Sequence, residues 1–402
     1  MRISSPWKVE FPVFEQQPTL TYLDSAATTL TPEVVAKSMY HYQCFSHANS
    51  HKGLYQLSAN ATQLVEDNRD KIARFIGASC GSEITFTSGT TEAINILAHS
   101  LVRPKLAPVH NIVISSAEHH ANLLPWQKIC CDIGAQLRIA PLNDLGVIDL
   151  ALLEALIDEN TVLVAINHVS NVLGTVNDIK AITALAHAKA ALVLVDGAQA
   201  VGHMPVNVKQ LECDFYVFSA HKMYGPTGCG VLWAKTDLME GAEPYNLGGG
   251  IVNKVTFEHT SYITGAQKFE VGSRNVAAIV GLGAAIDFIE NITWPEITAY
   301  YQLLSQHLYD GLKTIDEIKP LVPLQVDAIL VSINVGHVHA HDVATILDDQ
   351  NIAVRAGHHC AQPLHKLLGC KTSIRASLGL YNSVEDIENL IAGLKHSLAL
   401  MR

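Results

Sequence analysis

The chain has 402 residues, 16% of them charged, and a formal net charge of -11. That length suits one large folding unit plus a smaller one, and the acidic balance disfavours nucleic acid or an anionic membrane as partner. No apolar run reaches the ~18 residues of a transmembrane helix; the nearest, Val276 to Ile286, is broken by glycine and ends at Asp287. The opening Met1 to Lys8 lacks the apolar stretch of a signal peptide, so a cytoplasmic location is expected. The eight cysteines then read as thiols of a reducing compartment, with Cys130 and Cys131 as helix packing.

In chain order, Leu20 to Ala27 reads as a short strand running into a Thr/Pro turn, and Thr31 or Pro32 starts a helix through Tyr42. A polar loop, Asn49-Ser50-His51-Lys52-Gly53, precedes an amphipathic helix from Ala59 to Ile76. Ile84 to Thr87 is a strand, and Ser88-Gly89-Thr90-Thr91 turns from it into a helix. Small residues, hydroxyls and free N–H groups at a helix start form an anion site that suits phosphate; the plainer reading is an N-cap. The strand Ile112 to Ser115 ends in Glu118-His119-His120-Ala121-Asn122. The next, Val162 to Ile166, ends in Asn167-His168-Val169-Ser170-Asn171.

The stretch from Leu192 to Pro226 organises the rest. Leu192-Val193-Leu194-Val195 stops at Asp196, and Phe215-Tyr216-Val217-Phe218 stops at Ser219-Ala220-His221-Lys222. Short apolar runs bounded by turn residues mark strands buried on both faces of a parallel sheet, and ligands bind at the carboxyl ends of such strands. Alone, Asp196 would be a helix cap and Lys222 a solvated loop cation. Together they are a carboxylate that can protonate a pyridine nitrogen and a lysine that can hold an aldehyde, the parts that pyridoxal 5'-phosphate needs. The alternation of strand and helix from about Tyr22 to Trp233 predicts a wound, mostly parallel sheet.

After Trp233 the pattern becomes irregular through Gly248-Gly249-Gly250 and Gly272-Ser273-Arg274-Asn275. A long helical region from Val276 leads to a second unit with a strand, Ile329 to Val335, and a helix, Ala340 to Asp349. His337, His339 and His341 lie two apart, which on an extended strand would offer metal ligands on one face, but the stretch reads better as a strand-to-helix turn. Arg355-Ala356-Gly357-His358-His359-Cys360-Ala361-Gln362-Pro363 could hold zinc with His365, or bury Cys360 as a small hydrophobe. Its composition is that of a loop, and nearby cations favour a reactive thiolate. No metal site is expected.

These motifs resemble the class V aminotransferase group of pyridoxal phosphate enzymes, and within it the Suf-type and Csd-type (group II) cysteine desulfurases. The resemblance rests on Tyr22-Leu23-Asp24-Ser25-Ala26-Ala27, the Asp196-x-x-Gln199 and Ser219-x-His221-Lys222 motifs, the Cys360 loop, and Ser373-Ile374-Arg375-Ala376-Ser377. It implies an α/β fold of fold-type I, with a mostly parallel seven-stranded-type sheet in a large domain over 16–275. A smaller α+β domain, 1–15 plus 276–402, would carry the nucleophilic cysteine. Lys222 would hold the cofactor, Asp196 its ring nitrogen and Gln199 its phenolic oxygen, with His119 stacked on the ring. Thr90, Thr91, Ser219 and His221 would contact phosphate, and Ser273 that of the neighbouring subunit. Arg375 would grip the substrate carboxylate, with Asn171, His51 and Arg355 as further substrate contacts. Lys52 stands where such enzymes often carry arginine, and Arg274 where they carry proline, so a bidentate contact and a rigid turn are lost.

The implied reaction converts L-cysteine to L-alanine and leaves a persulfide on Cys360, for a SufE-like or CsdE-like acceptor protein and for iron-sulfur cluster assembly or related pathways. A homodimer is implied by the shared site. Selenocysteine lyase (with L-selenocysteine as substrate), kynureninase and epimerase could use the same Lys222 and Asp196 without a cysteine at 360. A silent, cofactor-binding sulfur-relay scaffold and a nucleotide-binding oxidoreductase are more distant readings, the latter lacking Gly-x-Gly-x-x-Gly after its first strand.

Overall fold

The computed structural model describes residues 5–51, 53–326 and 328–401. Seven strands form the larger sheet, in the order Ile84–Thr87, Gly230–Ala234, Phe215–Ser219, Leu192–Asp196, Thr161–Asn167, Asn111–Ser115, Gln136–Ala140. Six run in the same direction; Gly230–Ala234 alone is reversed, antiparallel to both its neighbours, Phe215–Ser219 and Ile84–Thr87. Successive residues of the central strands point to opposite faces. Val193, Val195, Tyr216 and Phe218 therefore enter one buried cluster, and Leu194, Phe215 and Val217 the other. Helices cover both faces, so the central strands read as continuous apolar runs, while the edge strand Gln136–Ala140 is half-exposed.

A second, four-stranded antiparallel sheet follows the order Ile318–Pro320, Leu330–Val335, Ser373–Ser377, Arg355–Gly357. Helix Ala340–Asp348 packs on this sheet and against helix Val384–Leu400, which in turn packs against Trp294–Leu312. The last begins with a capping box between Ser383 and Asp386, which satisfies orphan N–H groups in its first turn. The N-terminal segment joins this unit: Trp7 stacks edge-on against Tyr300 at 5.0 Å and Phe11 against Tyr381 at 4.9 Å. Helix Val276–Ile292 packs instead on helices Glu33–His41 and Gln56–Phe75, then turns by 80° into Trp294–Leu312. Among the described residues no single helix is long and apolar enough to cross a membrane.

Several expected boundaries shift. The Ala59 helix starts earlier, at Gln56, and the first long helix ends at His41, where a wider turn over Tyr42–Ser46 continues it. Between the glycine run and Ser273, where no order was expected, Val252–Val255 and Thr260–Tyr262 form a hairpin. The stretch expected as one loop around Cys360 begins as an edge strand, Arg355–Gly357, and becomes a turn only at His358. His339 caps helix Ala340–Asp348, its Nδ1 accepting from the His341 N–H at 3.3 Å.

Candidate active site

A cavity of about 300 Å³ opens at the carboxyl edge of the larger sheet and is closed from the other side by the Cys360 turn. Two adjacent strands end there in Asn167 and Asp196, which pair in register. The third ends in Ser219, and a short 3-10 turn, Ala220–Lys222, follows. That turn is bolted down. The carbonyl of His221 accepts from Thr29 N at 2.9 Å and from the hydroxyls of Thr28 and Thr29 at 3.1 Å each. Lys222 and Asp196 both line the cavity. Burial pulls the Lys222 amine below its usual pKa, opposed by Asp196, and pushes the Asp196 carboxyl up, opposed by an N–H bond from Ala198 and by Lys222. A lysine held this way deprotonates readily and is a nucleophile.

Around this pair several polar side chains are held by hydrogen bonds to their neighbours. His119 Nδ1 accepts from the Ala121 N–H at 3.0 Å, which leaves Nε2 to carry the ring proton; burial, Lys222, His120 and Arg375 lower its pKa to about 4. Gln199 Nε2 donates to the Ala26 carbonyl at 2.8 Å, and its Oε1 is buried without a partner. Ser219 Oγ accepts from Thr90 N at 2.8 Å and lies 2.8 Å from Thr90 Oγ1. This clasp joins the Ser219 strand end to the first turn of helix Thr90–Leu97, where Thr91 also faces the cavity. The clasp needs glycine at 230, because a Cβ there would lie 2.4 Å from Gly89 Cα.

The opposite wall comes from the smaller sheet. Arg375, on its Ser373–Ser377 strand, is 3% exposed. Its Nη1 donates to the Asn171 carbonyl at 2.9 Å and its Nη2 to Asp24 Oδ1 at 3.2 Å, while Nε has no partner. Arg355 reaches the other oxygen of Asp24 at 2.9 Å. Asn171 Nδ2 donates to the His359 carbonyl at 2.7 Å; the side chain expected at substrate or cofactor thus anchors the cysteine turn. His359, expected in an open loop, is buried together with His365. Both imidazole Nε2 atoms meet Ser373 Oγ, at 2.9 and 3.0 Å. Cys360 is exposed to the cavity side.

Two expected residues stand apart. Ser273 and Arg274 line a separate cleft with Ser88 and Glu92, where Arg274 and Arg69 converge on buried Glu270. His51 lies on the surface, its imidazole 3.4 Å from Glu66. Lys52 lies outside the described residues. Sequence reasoning assigned no role to Asp24, which joins two arginines, or to Glu118. The latter is a buried carboxylate that accepts from Ser115 Oγ at 2.5 Å, Asn122 Nδ2 at 2.7 Å, and Asn167 N and Nδ2 at 3.0 and 2.8 Å. Both lie in strings already singled out, but nothing in one dimension shows that they turn inward.

The parallel sheet with its pocket across the carboxyl edge is the fold-type I architecture. Residues 21–390 match the Aminotransferase class-V family, and the chain belongs to that family. A cysteine desulfurase of Klebsiella pneumoniae subsp. pneumoniae is 43% identical over 393 residues, covering 96% of each chain. Among solved structures, the cysteine desulfurase CsdA of Escherichia coli superposes with a TM-score of 0.92 at 36% identity over 98% of each chain. The apo cysteine desulfurase of Thermococcus onnurineus does so with a TM-score of 0.92 at 37% identity, again over 98% of each.

Proposed function

We propose that this chain is a pyridoxal 5'-phosphate-dependent cysteine desulfurase, which converts L-cysteine to L-alanine and takes the sulfur as a persulfide on Cys360. The observation that carries the reading is one cavity that holds a buried-site lysine, a strand-end carboxylate, a buried arginine with an unused N–H, and a cysteine. The donor set fits the cofactor. Lys222 would bind its aldehyde, Asp196 its ring nitrogen, and the orphaned Gln199 Oε1 its phenolic hydroxyl. Thr90, Thr91, Ser219 and His221 would hold its phosphate, and neutral His119 would stack on its ring. Once bound, it supplies an acceptor for the electron pair left at the substrate Cα.

The side chains do the rest. Arg375, through its free Nε–H, binds the carboxylate of L-cysteine, with Arg355 and Asp24 fixing the guanidinium. The Lys222 amine, once released by the incoming substrate, is placed to take the Cα proton and later to return one. The Cys360 sulfur attacks the substrate sulfur. One S–S bond forms, the substrate C–S bond breaks with its electron pair left on the alanine carbons, and protonation there releases alanine. The totals balance: L-cysteine plus thiol gives L-alanine plus persulfide.

The sulfur then passes to an acceptor thiol, for which a SufE-like or CsdE-like protein is the proposed partner, in the cytoplasm. A homodimer would bring Ser273 and His51 to the neighbouring site, and the fully exposed Leu54 and Phe257 support a covered surface nearby. In a division into 16–275 and 276–402 with the N-terminal segment, the contacts of Trp7 and Phe11 support the smaller unit, whereas helix Val276–Ile292 packs on Glu33–His41 and Gln56–Phe75 of the larger one. Borohydride reduction of the reconstituted protein tests the cofactor assignment. The expected product is a pyridoxyl mass on the peptide containing Lys222, absent in Lys222→Ala; a label on another lysine would refute the assignment.

A further inference from the structure

The Cys360 turn is held in a conformation that its own residues disfavour. His359 and Cys360 are consecutive, both carry a Cβ, and both lie in the left-handed region at φ 50° and 57°. Side chains with a Cβ crowd the backbone there, so such a turn persists only where its surroundings determine it. Bonds from outside the turn supply that hold, beginning with the His359 Nε2 contact to Ser373 Oγ at 2.9 Å. Asn171 Nδ2 donates to the His359 carbonyl at 2.7 Å. His120 N donates to the Cys360 carbonyl at 2.8 Å, and His120 Nε2 accepts from Gln362 N at 3.3 Å. Two of these four bonds end on one residue, His120, that does not line the cavity.

His120 is well built for this. It follows His119, whose φ of -61° and ψ of 148° turn the chain out of the strand end, and it opens the 3-10 turn His120–Asn122. Its backbone N–H is thereby free to point at the neighbouring loop. Glu118, two residues earlier, is locked from below by four hydrogen bonds. Acceptance at Nε2 requires the neutral imidazole, which burial and the nearby His358 favour. The Gln362 N–H it receives is an otherwise orphan donor in the first turn of helix Gln362–Leu367.

We propose that His120 is a positioning residue that clamps the Cys360 turn across the two sheets, holding the thiol in the cavity for sulfur transfer. The role of the thiol rests on the function proposed above; the clamp itself does not. Amide hydrogen exchange of the holoenzyme over residues 358–366 tests it. His120→Ala keeps the backbone bond to Cys360 and removes the Nε2 acceptor of Gln362 N, so exchange is expected to quicken several-fold, as the loss of one local anchor lowers the free energy of opening. His120→Gln keeps an acceptor and should return it toward wild type. With L-cysteine, His120→Ala should lower kcat while leaving KM near its wild-type value, because the substrate-binding arginine is untouched. Exchange in His120→Ala equal to wild type would overturn the clamp, as would equal loss in the Gln and Ala variants. If wild type forms no persulfide, the desulfurase reading fails, while the exchange comparison still decides the clamp.

Discussion

Arg375 shows how much one side chain does in this site. Its planar fork spends two N–H groups on Asn171 and Asp24 and keeps Nε unpaired, a geometry that a lysine's point charge cannot reproduce. Arg375→Lys is therefore expected to raise KM for L-cysteine about tenfold or more, the equivalent of roughly 1.4 kcal/mol, with cofactor absorbance retained; an unchanged KM would remove the carboxylate role. At this scale Lys222, Asp196, Gln199 and Ser219 were legible, because strand ends deliver polar residues to a shared edge and the apolar runs mark where strands end. Asp24 and the His359-Ser373-His365 cluster were not. Their meaning depends on contacts between residues hundreds of positions apart, or on which face of a turn is buried, and neither has a local pattern. Asn171 was legible as a site residue, yet its amide is spent on the cysteine turn.

Among elements, five strands of the larger sheet were read almost to the residue, since burial on both faces forces an apolar run of strand length, whereas buried Gly230–Ala234 and the half-exposed edge Gln136–Ala140 were not read as strands. The Val252–Val255 strand was missed because all four of its residues are exposed, which leaves no alternation to read. Helix Val384–Leu400 carries a Ser-x-x-Asp start, Ser383 to Asp386, which is a sequence-level signal. Ser383→Ala removes that cap and should lower stability by about 1 kcal/mol, measured by chemical denaturation; no change would mean that water or another group replaces it. Gly230→Ala tests the contact between the antiparallel strand and the Gly89 turn. With a Cβ 2.4 Å from Gly89 Cα, backbone must shift, and the expected loss is about 1–3 kcal/mol together with weaker cofactor retention, because the Thr90–Ser219 clasp shifts with it. Unimpaired stability and cofactor affinity would show that the turn can yield.

Across the whole molecule, buried histidines make stability depend on pH. His168 bonds Tyr216 at 2.9 Å and His203 bonds Tyr301 at 3.1 Å, and burial lowers both to about 4, with Lys222 adding to the effect at His203. In the unfolded chain each would titrate near 6.5, so between pH 6.5 and 4 the unfolded state binds more protons. Stability then falls as pH drops through that window, by about 3 kcal/mol per histidine once the shift is complete. Glu118 acts in the opposite sense, since burial raises its carboxyl to about 7 and its contribution declines as pH rises from about 4.5 to 7. A single-site comparison separates the two. His203→Gln should show a shallower fall in denaturation midpoint from pH 6.5 to 4 than wild type, and an identical slope would contradict the burial argument. The most direct measurement is a single turnover with L-cysteine in the absence of reductant, in which the Cys360 peptide is weighed and alanine is counted. A gain of one sulfur on Cys360 that matches the alanine released is the expected result. Alanine without that mass gain, or neither product from cofactor-loaded protein, would contradict the account of Cys360 as the sulfur-accepting nucleophile.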